Sequence, residues 1–207
     1  MRFLVLIFMI FTCVQIHARE WVNLRSFGEP MPSTMYLFSS PNCSHCRTFH
    51  KTIFPELIKK YVDTKKAQLV IVDTPTDDAS FRAVMLLRCL PEEKASKLLA
   101  WLFENQSKWV GNRDPDYTFK QYTQVLGMTQ AEFKSCVEDK SLRDAIGQQR
   151  DNLSALFGVR SWPTVVLRQN NLLSIFKGTD KRKILTGIDQ EIKKFQEIQK
   201  SQLANKK

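Results

Sequence analysis

Histidine is scarce in this 207-residue chain, which holds only His17, His45 and His50. That shortage works against a zinc or copper site built from imidazoles. A single pair of cysteines has the Cys-x-x-Cys spacing, Cys43 and Cys46, so the second half of a four-cysteine zinc site is missing too. There is no internal repeat. The composition, 43% hydrophobic and 25% charged, excludes a fibrous chain or global disorder and is that of an ordinary globular protein. The apolar run from Phe3 to Phe11 falls short of the about 20 residues that cross a bilayer.

That run has another reading. Met1-Arg2 precedes it, and Thr12-Cys13-Val14-Gln15-Ile16-His17-Ala18 follows. A positive start, a short apolar stretch and a small final residue predict a secretory signal peptide over 1–18, cleaved after Ala18. An uncleaved anchor and a lipid-modified Cys13 are weaker alternatives, because Ile16 is not small and Phe11-Thr12 is a poor lead-in. Cleavage leaves Cys43, Cys46, Cys89 and Cys136. An even count in an exported chain fits two disulfides, with three connectivities open. The net charge of +10 gathers partly near the C-terminus, at Lys181, Arg182, Lys183, Lys193, Lys194, Lys206 and Lys207. In an exported chain it reads as a solvated helix face, and no nucleic-acid partner is expected.

The pattern of elements is legible along the rest of the chain. Trp21 to Phe27 predicts a first strand, and Thr34 to Ser40 a buried one. From Cys43 the apolar period lengthens: Cys46, Phe49, Ile53, Leu57 and Tyr61 step by three or four along a helix that Pro55 should kink. Gln68 to Asp73 predicts a third strand. About eighty helical residues follow. Their stripes are Ala83 to Leu90, Ala95 to Phe103, Tyr117 to Leu126, a short helix capped by Thr129 and Glu132, and Leu142 to Leu156 closed by Gly158. Pro163 to Leu167 and Leu172 to Lys177 predict a hairpin turning at Asn170-Asn171. Ile184 to Ile198 makes an amphipathic helix. The fold class is therefore α/β, interrupted by a helical subdomain. We divide it into 19–78, an inserted block 79–158, a return at 159–200, and a disordered tail 201–207.

Cys43 and Cys46 follow a buried strand and open a helix. The unpaired amides and dipole of a helix start stabilise an anion, here the Cys43 thiolate, which is the nucleophile. Cys46, one turn inward, suits a resolving thiol. His45 can add a hydrogen bond or positive charge. A fall of the Cys43 pKa from ~8.5 to ~4.5 would favour the reduced form by ~3.4 kcal/mol at pH 7, or roughly 70 mV of oxidising power.

Tyr36-Leu37-Phe38-Ser39-Ser40-Pro41-Asn42-Cys43-Ser44-His45-Cys46-Arg47 resembles the active-site strand and helix start of the DsbA-like thioredoxin family. Ser161-Trp162-Pro163-Thr164-Val165 resembles that family's cis-proline loop, and the helical block its inserted domain. The likeness runs from about Glu20 to about Ile198. It implies a thioredoxin fold with a helical insertion, and catalysis by Cys43 and Cys46 without a cofactor or metal. It also implies a cis Pro163 facing the pair, with Trp162 contacting substrate. Ser44 and Trp162 depart from the family's usual residues, which bears on redox potential and substrate range. Some members carry an extra disulfide in the block, implying a structural Cys89–Cys136 bridge; the alternative is two buried free thiols.

The expected activity is a periplasmic oxidase, a monomer, donating the Cys43–Cys46 disulfide to unfolded or reduced exported proteins. A membrane quinone-linked partner resembling DsbB would reoxidise it. The alternatives are a disulfide isomerase or reductase on the same fold, and a non-enzymatic copper carrier.

Overall fold

In the computed structural model, residues 25–204 are described. The expected signal peptide, Cys13 and the start of the first strand lie outside them. Five strands form one sheet: β1 (Arg25–Phe27), β2 (Ser33–Ser39), β3 (Gln68–Asp73), β4 (Thr164–Gln169) and β5 (Leu172–Lys177). Their order across the sheet is β1-β3-β2-β4-β5. The central pair, β2 and β3, is parallel, with Leu37 opposite Ile71. The other pairings are antiparallel. The β2–β3 connection needs a crossover, because parallel neighbours cannot be joined by a tight turn. Residues 44–62 supply it, as helix α1 (Ser44–Thr52), a short α2 (Phe54–Leu57) and a π-helical turn (Ile58–Val62).

Pro55 explains the break. Without an amide hydrogen it cannot continue the ladder of α1, and the chain restarts at Phe54 with Pro55 in the first turn. The π-helical turn is then held by Tyr61, whose hydroxyl lies 3.0 Å from the Leu185 carbonyl and 2.9 Å from the Asp189 carboxylate.

The inserted block comprises α3 (Asp78–Cys89), α4 (Glu92–Glu104), α5 (Gln106–Trp109), α6 (Pro115–Val125), α7 (Gln130–Val137) and α8 (Lys140–Phe157). Capping chemistry sets its boundaries. Asp77 accepts from Ser80 N at the start of α3, and Thr129 with Glu132 forms the capping box of α7. Gly158, at φ +64°, closes α8 in the left-handed region that glycine enters without steric cost. The final helix, α9, spans Lys181–Ala204.

Alternation along β2 divides the core. Met35 and Leu37 join Phe49, Ile53 and Leu57 under α1 and Ile184, Ile188 and Ile192 of α9. Phe38 points the other way, onto Phe157 and Val159. A third cluster fills the helical block around Met85, Leu86, Leu98, Leu102, Trp109, Phe119 and Phe133, and it reaches out to Cys46. Helix α1 therefore sits where the core beneath it meets the core of the helical block. Among the described residues no helix is long and apolar enough to cross a membrane.

Two expectations need correction. The disordered tail does not begin at Ser201: α9 carries on to Ala204. Extending an existing helix costs far less than nucleating one, so polar residues follow the apolar stripe into helix. Helix α5 breaks the expected pattern as well, being too short for its period to register in the sequence.

Candidate active site

Cys43 is the N-cap of α1, in extended conformation, and its Sγ accepts from the Cys46 backbone amide at 3.4 Å. The helix-start amides thus reach the sulfur directly. Cys43 is half-buried and Cys46 wholly buried, and both are free thiols. The Cys43 thiol is lowered from 9.0 to about 6, chiefly by the hydrogen bond from Cys46, aided by backbone amides and the nearby charge of His45 and opposed by burial. Cys46 is pushed strongly upward, by the same interaction and by burial, so it holds its proton. One thiolate leaned on by one thiol is the arrangement expected of a nucleophile with a resolving partner. The shift is smaller than the fall to ~4.5 used above, because half-burial works against the thiolate.

The loop before β4 completes the site. The Trp162–Pro163 peptide is cis. The Trp162 carbonyl oxygen lies 3.9 Å from Cys43 Sγ, and the half-buried indole packs against the helical-block core. Ser44 and His45 are exposed beside the cysteines. The structure therefore brings Cys43, Cys46, Ser44, His45, Trp162 and Pro163 into one neighbourhood. Cys89 and Cys136 stand apart, bridged between α3 and α7 across 47 residues of sequence.

Three side chains hold the turn that carries Cys43. Gln106, on α5 and only 5% exposed, donates its amide to the carbonyls of Pro41 at 2.7 Å and Cys43 at 3.0 Å. Asn42 donates to Thr76 Oγ1 and Asp77 Oδ2, each at 2.8 Å, tying the turn to the start of α3. Ser40 donates its hydroxyl to Asn42 Oδ1 and its backbone amide to Cys46 Sγ. The helical block is therefore part of the site's frame. Sequence reading missed Gln106; a buried amide in a four-residue helix carries no periodic signal.

His50 lies one turn beyond Cys46 on α1. Its ring stacks between Phe103 at 4.0 Å and Phe54 at 4.8 Å, with Nε2 3.3 Å from Ser39 Oγ. Burial, with the Arg25 charge nearby, lowers it to about 3 and keeps it neutral. Among the described residues no three or more histidine, cysteine or acidic side chains converge as a metal site.

A family model described as Thioredoxin matches residues 25–185. A protein of Rickettsia conorii, provisionally named a protein-disulfide oxidoreductase, is 30% identical over 106 residues. Those residues are 51% of this chain and 38% of the relative, so the chain spans well under half of the relative's length. Among solved structures, α-DsbA1 of Wolbachia pipientis superposes with a TM-score of 0.73 at 24% identity, covering 84% of this chain and 92% of that one. BdbD of Bacillus subtilis, in its oxidised form, superposes at 0.67 with 17% identity over 82% of this chain and 93% of that one. At those identities the likeness is one of fold: a thioredoxin sheet carrying a helical insertion.

Proposed function

The chain belongs to the thioredoxin family, and from that premise we propose that it is a protein thiol:disulfide oxidoreductase working as a DsbA-like oxidase. The observation that carries the proposal is the split between its two thiols. Cys43 is drawn down to about 6 at the edge of the site, while Cys46 is fully buried and pushed up. Stabilising the Cys43 thiolate stabilises the reduced state, which makes the oxidised pair readier to give its disulfide away.

The reaction runs through a mixed disulfide. A substrate thiolate attacks Cys43 Sγ, the Cys43–Cys46 bond breaks, and Cys46 leaves and takes up a proton. A second substrate thiolate then attacks the substrate sulfur of the mixed disulfide, closing the substrate's own disulfide and releasing Cys43 as the stable thiolate. Two electrons pass from substrate to protein. The Trp162 carbonyl, 3.9 Å from Cys43 Sγ, offers a backbone acceptor beside the attacked sulfur. The exposed Ser44 and His45 border the same sulfur.

The substrates in this reading are reduced exported proteins, and a quinone-linked membrane protein resembling DsbB takes the electrons away. The periplasm is the matching compartment. The signal-like segment 1–18 supports it, and so does the Cys89–Cys136 bridge, which persists where the surroundings are oxidising. A reductase or isomerase is the second reading, favoured by the moderate depth of the Cys43 shift. Equilibration of the Cys43–Cys46 pair with glutathione decides between them. An oxidase gives a potential near the oxidising end, about −120 mV; a value near −270 mV, like thioredoxin's, refutes the oxidase and supports a reductase. Stoichiometric metal that is lost in Cys43→Ser would refute both and support the copper carrier.

A further inference from the structure

The net charge of +10 is not spread evenly over the molecule. The helical block, residues 78–158, holds eleven basic and eleven acidic residues and is neutral. The excess falls on the rest of the chain. Helix α9 carries six basic side chains against three acidic ones. Residues 56–66, through the π-helical turn and the turn after it, carry four lysines against Glu56 and Asp63.

These two segments share one surface. Lys181 bridges to Glu56 at 2.8 Å, Lys60 pairs with Asp189, and the Tyr61 hydroxyl meets Leu185 and Asp189. Ile184, Ile188, Ile192 and Phe195 are buried and mark the inward side of α9. At about 3.6 residues per turn, Arg182, Lys183, Lys193, Lys194 and Lys200 fall on its outward side, and all five are exposed. Lys59, Lys65 and Lys66 are exposed on the neighbouring segment. Among the described residues none of these eight cations makes an ion pair. Glu56 and Asp189 are already engaged, which leaves Asp63, Glu191 and Glu197 as the local counter-charges. The face also points away from the cysteines. Helix α9 meets Glu56 first and Tyr61 later, so it runs the same way as residues 44–62, away from Cys43. Cys43 and Trp162 pack on the helical-block cluster, not on the one beneath α9.

Seven of the eight cations are lysines. Lysine is a compact, hydrated point charge, suited to attraction across a plane rather than to a bidentate fork on one phosphate or base edge. The charges are spread along a helix about 36 Å long. Neither segment exposes an aromatic ring on which a base could stack. Among the side chains described there, Ile198 is the only large apolar one exposed, too little for the apolar centre of a protein interface. We propose that the outer face of α9 and residues 56–66 is a docking surface for a bilayer containing anionic phospholipid. The lysines hold it by electrostatic attraction without insertion, each worth about a fivefold gain in partitioning near an anionic leaflet. A molecule docked this way keeps Cys43 open to protein substrates. The docking stands whether or not the thiol pair works as an oxidase.

The test titrates the full chain with vesicles of phosphatidylcholine, alone or mixed with phosphatidylglycerol, and reads bound protein by sedimentation. Vesicles without anionic lipid report any attachment through the apolar run 3–11, so the quantity read is the ratio of the two partition coefficients. The wild-type ratio should stand well above one at about 0.1 M salt and fall towards one at about 1 M, where the Debye length is about 3 Å. The triple variant Lys193→Gln, Lys194→Gln, Lys200→Gln should lower the ratio at least about 10-fold. Lys108→Gln, Lys134→Gln, Lys140→Gln removes the same charge from exposed positions of the neutral block and should stay within about twofold of wild type. Glutamine keeps the helix propensity of lysine, so both variants should melt with the wild type. A wild-type ratio near one at low salt, a ratio that high salt leaves unchanged, or equal losses in the two triple variants would overturn the docking. Release of the protein from the vesicles by polyglutamate or duplex DNA at equal charge would overturn the lipid assignment in favour of an acidic protein or a nucleic acid. None of these results touches the redox reading, which the glutathione equilibrium tests.

Discussion

Replacing Cys46 tests the electrostatics of Cys43 at their source. The Cys46 thiol is the largest influence holding Cys43 at about 6. A hydrogen bond to a charged acceptor contributes about 1.5–3 kcal/mol, which is roughly one to two pKa units. Cys46→Ala deletes that donor and keeps the backbone amide, so the Cys43 midpoint should rise to roughly 7–8. Cys46→Ser keeps a donor in the same place and should stay near 6. At pH 7 the thiolate fraction falls from about 90% to roughly 10–50% in the alanine variant, and initial alkylation slows about two- to tenfold, partly offset because a more basic thiolate is the better nucleophile. The assay is thiolate absorbance or iodoacetamide labelling across pH 4–10. The wild-type shift also carries a redox consequence. Discounted for solvent screening of a half-exposed sulfur, a fall to about 6 favours the reduced protein at pH 7 by about 1 kcal/mol, or roughly 20 mV. That contribution is complete above pH 9 and lost as pH falls through about 6. Equal midpoints for the alanine and serine variants would refute the assignment of the shift to Cys46.

Three further outcomes follow from the geometry. Gln106→Leu should lower stability by about 1–3 kcal/mol, because two inward-facing carbonyls lose their donor; thermal melting together with faster proteolysis near the 41–43 turn checks it, and an unchanged melt refutes the tether. Replacing both Cys89 and Cys136 by alanine should cost about 4 kcal/mol on chain-entropy grounds for their 47-residue separation, read by urea unfolding, with Cys43 labelling unaffected. His50 is held neutral down to about 3 against an ordinary 6.5. Stability tied to the neutral ring is therefore complete above 6.5 and drains as pH falls towards 3, by roughly 2 kcal/mol at pH 5. His50→Phe should flatten that part of the acid profile, and a variant profile parallel to wild type would refute it.

The residues that announce the fold do so through local chemistry. Buried strands appear as runs such as Gln68 to Asp73, helices as three- and four-residue steps, and boundaries as Pro55, Thr129 and Gly158. Each depends on neighbours a few positions away, so each is visible in one dimension. The placement of Cys43 at a helix start is of the same kind, since strand, turn and helix are contiguous. Trp162 and Pro163 became legible only because their short motif, paired with Cys-x-x-Cys across a helical block, resembles a known family.

The strength of the Cys43 shift was not legible, because it balances half-burial against a thiol and amides whose distances depend on packing. Gln106 reaches the active-site turn from a helix more than sixty residues away, and Ser39 meets His50 only once α1 lies across β2. The amino-acid order alone was enough to locate a dithiol at a helix start in an α/β chain interrupted by helices, since periodicity, capping and motif spacing are short-range; the thioredoxin sheet was implied by the family resemblance. The depth of each thiol's burial and the amide that steadies their turn depend on contacts between distant segments. Those contacts exist only after the two cores close around the helix that carries the pair.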